Sequence, residues 1–194
     1  MKLLDAELGL GRCIAQAWNA QILALKPFDA THLKRACMNF EQHLRLKRLQ
    51  PHYTYPLLVC HMLASAERSL ADSALADISD ENRIELAYKC IMKCCLLGLM
   101  AHGCVPAVPE VDPDQTAIES LSTTMQVEDK IWLGLYRVMK ERRNSYFSNE
   151  WINPFTMQDC TDIAQHLMAH TLQWFRDHQP KMVERYVECD KWIF

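Results

Sequence analysis

Glycine is scarce in this chain, with five in 194 residues. The sequence also lacks Gly-x-Gly-x-x-Gly, a Walker A loop and Gly-x-Ser-x-Gly. Because backbone cradles for nucleotide phosphates depend on glycine-rich turns, this scarcity argues against a nucleotide-binding enzyme. The missing nucleophile motif gives no support to a serine hydrolase either. The sequence therefore favours a protein without catalysis of its own and predicts no cofactor.

Long apolar runs are also missing, since no stretch of about 18 uncharged apolar residues occurs. The richest stretch, 91–101, is interrupted by Lys93. Residues 1–7 carry charges where a secretory signal would be apolar. The nine cysteines are odd in number and lie within helical patterns, which is not typical of a disulfide scaffold. We predict a cytoplasmic protein with reduced cysteines and no membrane span.

Apolar residues at every third or fourth position are abundant, as along 4–25. This period keeps one stripe of an α-helix facing a partner surface. Ser79 is a predicted N-cap, and Gly103 is a predicted residue just beyond a helix end. The predicted helices cover about 2–25, 29–50, 54–76, 79–103 and 124–147, with one from 156 and a last one from 180. The fold class is all-α, a single-domain bundle of about six to seven amphipathic helices.

One break interrupts this pattern at 104–123, which is predicted to be a Pro-rich acidic loop with at most one helical turn near 116–121. Its three prolines, Pro106, Pro109 and Pro113, cannot lie in a helix interior. The domain prediction is one all-α domain over 1–194. It is alternatively divided into four helices over 1–103, the loop 104–123 and three helices over 124–194. Segments 57–64 and 88–99 are apolar nearly all round and are predicted to form the centre of the core.

Charge is unevenly distributed, although the net charge is only −3. Residues 94–129 contain six acidic residues and no Lys or Arg. Residues 32–52 hold five basic residues against one acid, a net charge of +4: Lys34, Arg35, Arg45, Lys47 and Arg48. This basic helix is either a solvated face or a site for an acidic or phosphate-bearing partner. Tyr53 and Tyr55 stand beside it for base stacking, so nucleic-acid binding is one alternative function.

Arg45 and His52 in this basic segment are separated by six residues. The spacing resembles the Arg-x₄₋₆-His signature of HEPN-type helical ribonucleases. The likeness covers two residues, and Leu46 stands where the family usually has a polar residue. The resemblance implies RNA cleavage by a helical domain, so the nucleic-acid alternative includes a HEPN-like ribonuclease.

A candidate metal site comprises Asp162, His166 and His170. Two histidines four residues apart share one helical face, and Asp162 lies one turn earlier. The Glu of His-Glu-x-x-His is absent, so a zinc protease is not supported. The same residues also suit the polar face of a helix. A metal-dependent helical enzyme is therefore a second alternative function.

Large aromatic residues near the C-terminus form the last candidate site. Trp151 lies in a predicted connection, and Trp192 and Phe194 lie at the end of the chain, where they either dock onto the bundle or anchor a partner. Ten methionines suit an adaptable apolar groove or ordinary core filling. The leading prediction is a cytoplasmic adaptor or complex subunit that binds another protein through such surfaces.

Overall fold

The computed structural model describes residues 39–75, 77–107, 112–147, 154–184 and 186, which all belong to one compact unit of the chain, 37–194. The described helices pack together, so the predicted all-α class is confirmed, with a small two-stranded sheet added. The predicted helix 2–25 and the start of the predicted helix 29–50 lie outside the described residues. The described elements, in chain order, are α1 (Phe40–Arg45), β1 (Leu49–Pro51), α2 (Pro56–Ser73), α3 (Asp80–Ala101), β2 (Cys104–Pro106), α4 (Pro113–Thr124), α5 (Asp129–Phe147), α6 (Pro154–His178) and α7 (Pro180–Val183).

Helix α3 lies at the centre of the core, as the sequence predicted. The Ser79 side chain caps it by accepting a hydrogen bond from the Asn82 amide at 3.4 Å. Gly103 follows its C-terminal end with φ of 72°, a left-handed conformation that suits glycine. The helix packs against α2, α4 and α6. Ile91 and Leu97 are therefore completely enclosed.

Helix α2 is amphipathic rather than buried all round, so the predicted burial of its first turns is wrong in part. It begins at Pro56, where the missing amide costs no intrahelical hydrogen bond. Val59 and Leu63 are fully buried, one turn apart on the face that meets α3. Leu57 is 56 % exposed, and His61 is also exposed. One apolar stretch thus supplies both core and surface.

The predicted loop over 104–123 is wrong, because most of that segment is regular. Residues 104–106 form β2, and 113–124 form α4. The Asp112 side chain accepts a hydrogen bond from the Gln115 amide at 3.1 Å, and Pro113 occupies the first turn of α4. Proline therefore begins this helix instead of preventing it. Four buried side chains on α4 are polar: Thr116, Glu119, Ser120 and Thr124.

The predicted basic helix is also wrong beyond Arg45, where α1 ends. The Arg48 amide donates to the His43 carbonyl at 2.9 Å, and the Lys47 amide donates to the Leu44 carbonyl at 3.0 Å. These two hydrogen bonds are the Schellman motif, which stops a helix with one left-handed residue. Lys47 is that residue, with φ of 56°. The chain then leaves the helix direction and enters β1.

Strands β1 and β2 pair antiparallel, with Gln50 opposite Val105. The Ala107 amide donates to the Arg48 carbonyl, and the His52 amide donates to the Gly103 carbonyl, both at 2.8 Å. Because bonded pairs alternate with non-bonded ones, the backbone groups at 49, 51, 104 and 106 point away from the partner strand. Two of these positions are prolines, Pro51 and Pro106, which have no amide to offer. Each outer edge therefore retains a single outward donor.

Helices α5 and α6 are the second packed pair, close to the predicted 124–147 and the helix predicted from 156. A Cβ at Gly134 would lie 2.7 Å from the Ile163 Cδ1, so the small residue permits this close approach. The predicted α6 stripe is buried at four positions, Cys160, Ile163, Leu167 and Thr171. None of the described helices is both long enough and apolar enough to cross a membrane.

Candidate functional site

The structure describes three of the five residues of the predicted basic patch. Lys34 and Arg35 lie outside the described residues, whereas the other three basic residues surround the end of α1. Arg45 ends the helix, Lys47 occupies the left-handed turn, and Arg48 precedes β1. Arg45 and Lys47 are exposed, and Arg48 is half-buried. The charges thus lie on a turn between two elements rather than along a helical face.

Exposed apolar side chains cluster in the same region of the sequence. Six large apolar side chains are exposed among the described residues, and five of them fall within 44–57: Leu44, Leu46, Tyr53, Tyr55 and Leu57. Their exposed fractions run from 43 % to 82 %, and Tyr53 is the most exposed. The two tyrosine rings stack with centroids 6.2 Å apart. We call these five residues, together with Arg45 and Lys47, the 44–57 surface.

A buried histidine on α1 anchors the 44–57 surface to the core. The His43 side chain is fully buried, and its Nε2 lies 3.0 Å from the Glu119 Oε2 on α4. The two atoms are close but are not aligned as a hydrogen bond. Gln115 Nε2 donates to the other Glu119 oxygen at 2.7 Å, which fixes the carboxylate. No sequence pattern indicated this pair, since its members are 76 positions apart in the chain.

The N-terminal end of α1 and the approach to α2 are also fixed. Asn39 and Gln42 form a reciprocal capping box at the start of α1. The Thr54 hydroxyl donates to the Met100 carbonyl at 2.8 Å, between the two exposed tyrosines. The 44–57 surface therefore belongs to a segment held at its start, its middle and its end.

Arg45 and His52, which carry the ribonuclease resemblance, do not share a helix. Arg45 ends α1, whereas His52 follows β1 and its amide donates to the Gly103 carbonyl. His52 Nε2 is buried without a hydrogen-bond partner among the described residues. The helical setting that the resemblance implied is thus missing from these two positions.

The candidate metal residues use their imidazoles in hydrogen bonds. His166 Nδ1 lies 2.7 Å from the Asp162 backbone oxygen, and His170 Nε2 lies 2.9 Å from the Met125 backbone oxygen. A ring nitrogen that faces a carbonyl oxygen carries the proton, and metal-ligating histidines make the same kind of hydrogen bond with their second nitrogen, so these two contacts are compatible with either role. In the portion of the chain that the structure describes, no three His, Cys, Asp or Glu residues are grouped to hold a metal ion. The geometry gives the metal-dependent enzyme no support.

The predicted aromatic anchors Trp151, Trp192 and Phe194 lie outside the described residues. Two other tryptophans have structural positions. Trp132 is buried and its Nε1 donates to the Ile118 carbonyl at 2.9 Å, while the half-buried Trp174 stacks on His178 with centroids 4.8 Å apart. Sequence reasoning missed the exposed leucines instead, because Leu44 and Leu57 fit helical stripes. The dense prolines and tyrosines over 51–56 were the available signal that helical order stops there.

All six described cysteines are buried and none of them forms a disulfide, in agreement with the predicted reduced state: Cys60, Cys90, Cys94, Cys95, Cys104 and Cys160. Cys90 differs from the others. A hydrogen bond with Cys94 lowers the pKa of the Cys90 thiol, and the nearby Lys93 ammonium lowers it further. Burial instead raises the pKa of Cys95 and of Cys104.

A surface cleft of about 430 Å³ lies beside α6 and α7. Its wall is mainly apolar, with Arg176, Lys181 and Glu184 as charged members. All three of these charged residues are exposed, and the hydroxyl of Tyr186, the buried polar side chain in the wall, donates its hydrogen bond to Glu67. The cleft does not have the convergent polar groups of an active site.

Comparison with known proteins gives no family for this chain: no family model, no curated protein and no solved structure matches it significantly. A function must therefore be argued from its own residues.

Proposed function

We propose that the chain is a cytoplasmic helical adaptor or complex subunit that binds another protein through the 44–57 surface. One observation supports this most directly. Of the large apolar side chains that are exposed in the described residues, five of six fall within this short stretch. Scattered exposed apolar residues are normal on a soluble protein, whereas a concentration of them is typical of an interaction site.

The charges of the 44–57 surface define the chemistry of the partner. Arg45 and Lys47 are exposed between the leucines and the tyrosines, and Glu41 is the only acidic residue on α1. Protein interfaces combine apolar anchors with a polar rim, and tyrosine and arginine are enriched at their centres. The partner segment is therefore apolar with acidic side chains at its margin.

The rigid support of the 44–57 surface favours binding. His43 ties α1 to α4, and β1 pairs with β2, so the backbone is ordered before any partner arrives. A preorganised surface spares the ordering cost of association. The free energy gained by covering the leucines can then appear as affinity.

Nucleic acid is the competing ligand, since the stacked Tyr53–Tyr55 pair beside two cations would also suit a single strand. The three exposed leucines favour a protein partner over a nucleic acid. A nucleic acid stacks its bases on aromatic rings and its phosphates contact cations, but exposed leucines add little to such binding. A protein partner, in contrast, gains free energy by burying the leucine side chains. The same surface therefore fits a protein better than a nucleic acid.

Site-specific photocrosslinking in the cells that produce the protein tests this function. A photoreactive residue replaces Leu46, which is 55 % exposed, and in a control protein it replaces Leu75, which is 54 % exposed and lies two residues beyond the end of α2. We expect a discrete protein adduct from position 46 and none from position 75. Equal adducts from both positions, or none from position 46, would contradict the proposal.

Binding measurements on the crosslinked partner give the second arm. We expect Leu46→Ser and Tyr53→Ser to raise the Kd for that partner at least about tenfold each, as expected of interface anchors, while Leu75→Ser leaves it unchanged. A 12-nucleotide single-stranded RNA serves as the competing probe. If it binds with steep salt dependence and Tyr53→Ser abolishes that binding while no protein adduct forms, the nucleic-acid alternative replaces ours.

A further inference from the structure

Three buried sulfur atoms meet where α3 packs on α6. Cys90 and Cys94 lie one turn apart on α3, a spacing that places both side chains on the same face of the helix. Met168 on α6 completes the group, with its Sδ 3.8 Å from the Cys94 Sγ. Both cysteines have no exposed surface, and Met168 is 7 % exposed. Two thiols and a thioether are therefore placed at one helix–helix contact, in a region from which water is excluded.

Three sulfur ligands favour a soft metal ion over a hard one. Thiolates and thioethers are soft ligands that suit Cu(I), whereas structural zinc takes four ligands from Cys, His, Asp and Glu. No third residue of those four types joins the two cysteines within the described residues. Three sulfurs at about 2.3 Å from one metal ion would be about 4 Å apart. The 3.8 Å between Cys94 and Met168 agrees with that separation.

A neighbouring cation supplies the charge that such a site needs. Lys93 Nζ donates three hydrogen bonds of 2.8 Å each, to the Ser65 backbone oxygen, the Ser65 hydroxyl and the Ser69 hydroxyl. All three acceptors are neutral, and none of the described carboxylates pairs with Lys93. Lys93 is next to Cys94 on α3 and lies three positions after Cys90. A half-buried cation is thus fixed beside two thiols, and its charge is not balanced by any described carboxylate.

We propose that Cys90, Cys94 and Met168 form a binding site for Cu(I). On binding, each cysteine thiol releases its proton to solvent, and the two thiolates and the thioether sulfur coordinate the ion. One positive charge enters and two protons leave, so the site changes from neutral to a net charge of −1. The Lys93 ammonium balances that charge, which would otherwise be costly in a buried position.

Anaerobic titration of the full chain with Cu(I), in competition with bicinchoninate, tests the site. The reference protein carries Ser at the three cysteines outside the described residues, so that they do not compete: Cys13, Cys37 and Cys189. We expect one Cu(I) per chain. Loss of a metal ligand should exceed the 10–100-fold cost of losing an outer partner, so Cys90→Ala and Cys94→Ala should each lower affinity at least about 100-fold.

Three further variants separate coordination from packing. Cys95→Ala removes an equally buried thiol from the next position of α3 and should leave Cu(I) affinity unchanged. Met168→Leu keeps the volume but removes the sulfur, and Lys93→Leu removes the charge without adding a donor atom. Each should weaken binding by about tenfold, within the range for outer or weaker partners. Cu(I) affinity that is the same in Cys90→Ala, Cys94→Ala and Cys95→Ala would overturn the site.

Thiol alkylation followed by mass spectrometry needs only the reference protein. The site can therefore be tested even if an alanine variant fails to fold. We expect Cu(I) to slow the labelling of Cys90 and Cys94 and to leave that of Cys104 and Cys160 unchanged. Uniform protection of all four, or none at Cys90 and Cys94, would overturn the proposal.

Discussion

At the scale of single residues, Lys47 has a backbone conformation that is unfavourable for a residue with a side chain. The Schellman motif at the end of α1 places it at φ of 56°, where glycine is the usual residue. A side chain with a Cβ costs about 1–2 kcal/mol in that conformation. Such a cost persists where the residue serves another purpose, and here it places an exposed ammonium in the middle of the 44–57 surface.

We predict that Lys47→Gly stabilises the fold and weakens binding. Relief of the left-handed strain exceeds the cost of extra freedom in the unfolded chain, about 0.4–1 kcal/mol, so the free energy of unfolding should rise by about 0.5–1 kcal/mol. Urea denaturation measures that change, and titration with the crosslinked partner measures the loss of affinity.

Gln126 provides the matched control for this prediction, because it is the other described non-glycine residue with positive φ, at 55°. Gln126→Gly should stabilise the fold by a similar amount and leave partner binding unchanged. A Lys47→Gly protein that binds as tightly as the wild type would show that the charge at this turn has no role in recognition.

At the scale of elements, two leucines from similar apolar segments have opposite environments. Leu97 on α3 is fully buried, whereas Leu57 in the first turn of α2 is 56 % exposed. We predict that Leu97→Ala lowers the free energy of unfolding by about 2–5 kcal/mol, as for other buried leucines. Leu57→Ala should change it by less than about 0.5 kcal/mol. Chemical denaturation compares the two, and equal losses would contradict the difference in their burial.

Helices that end through local signals could be predicted from the sequence. Ser79 and Gly103 delimit α3 because a cap and a left-handed glycine act within a few residues of the chain. Prediction failed where the structure of a segment depends on residues that are far away in the sequence. β1 forms because residues 104–106 pair with it across more than fifty positions. The polar face of α4 resembles a loop in sequence, yet Glu119 is buried because His43 lies against it.

The candidate site follows the same rule. The basic residues were visible in the sequence, but their arrangement around a turn depended on where α1 stops. The exposure of Leu46 and Leu57 depends on which face of each element meets the core, and periodicity alone does not select that face. The Cys94–Met168 contact joins two helices, so no spacing within one helix could reveal it.

At the scale of the whole molecule, the buried ionisable groups determine how stability responds to alkali. Burial raises the pKa of Cys160 to about 12 from an ordinary value of 9.0, and burial also raises the pKa of Cys95 and Tyr88. The folded state then holds protons that the unfolded state releases above pH 9. Because the folded state binds more protons, stability must fall as the pH rises from about 9 towards 12.

We predict a lower free energy of unfolding at about pH 10.5 than at about pH 8, measured by urea denaturation with a reductant present. Cys160→Ala should reduce the difference, because one of the protonated groups is removed. The lowered pKa values of Lys93 and Cys90 act in the opposite direction, but the groups with raised pKa values are more numerous. Stability that increases with alkali would contradict the description of these groups as buried and protonated.

The two prolines at the edges of the small sheet have a consequence for how the protein behaves when it is abundant. Pro51 and Pro106 each remove one of the two outward amide donors of their strand, directly beside an exposed apolar surface, so each edge is a poor template for a further strand. The exposed apolar surface therefore lies beside a sheet whose edges do not favour the addition of further strands. We therefore expect that concentrated protein does not associate by adding strands to this sheet.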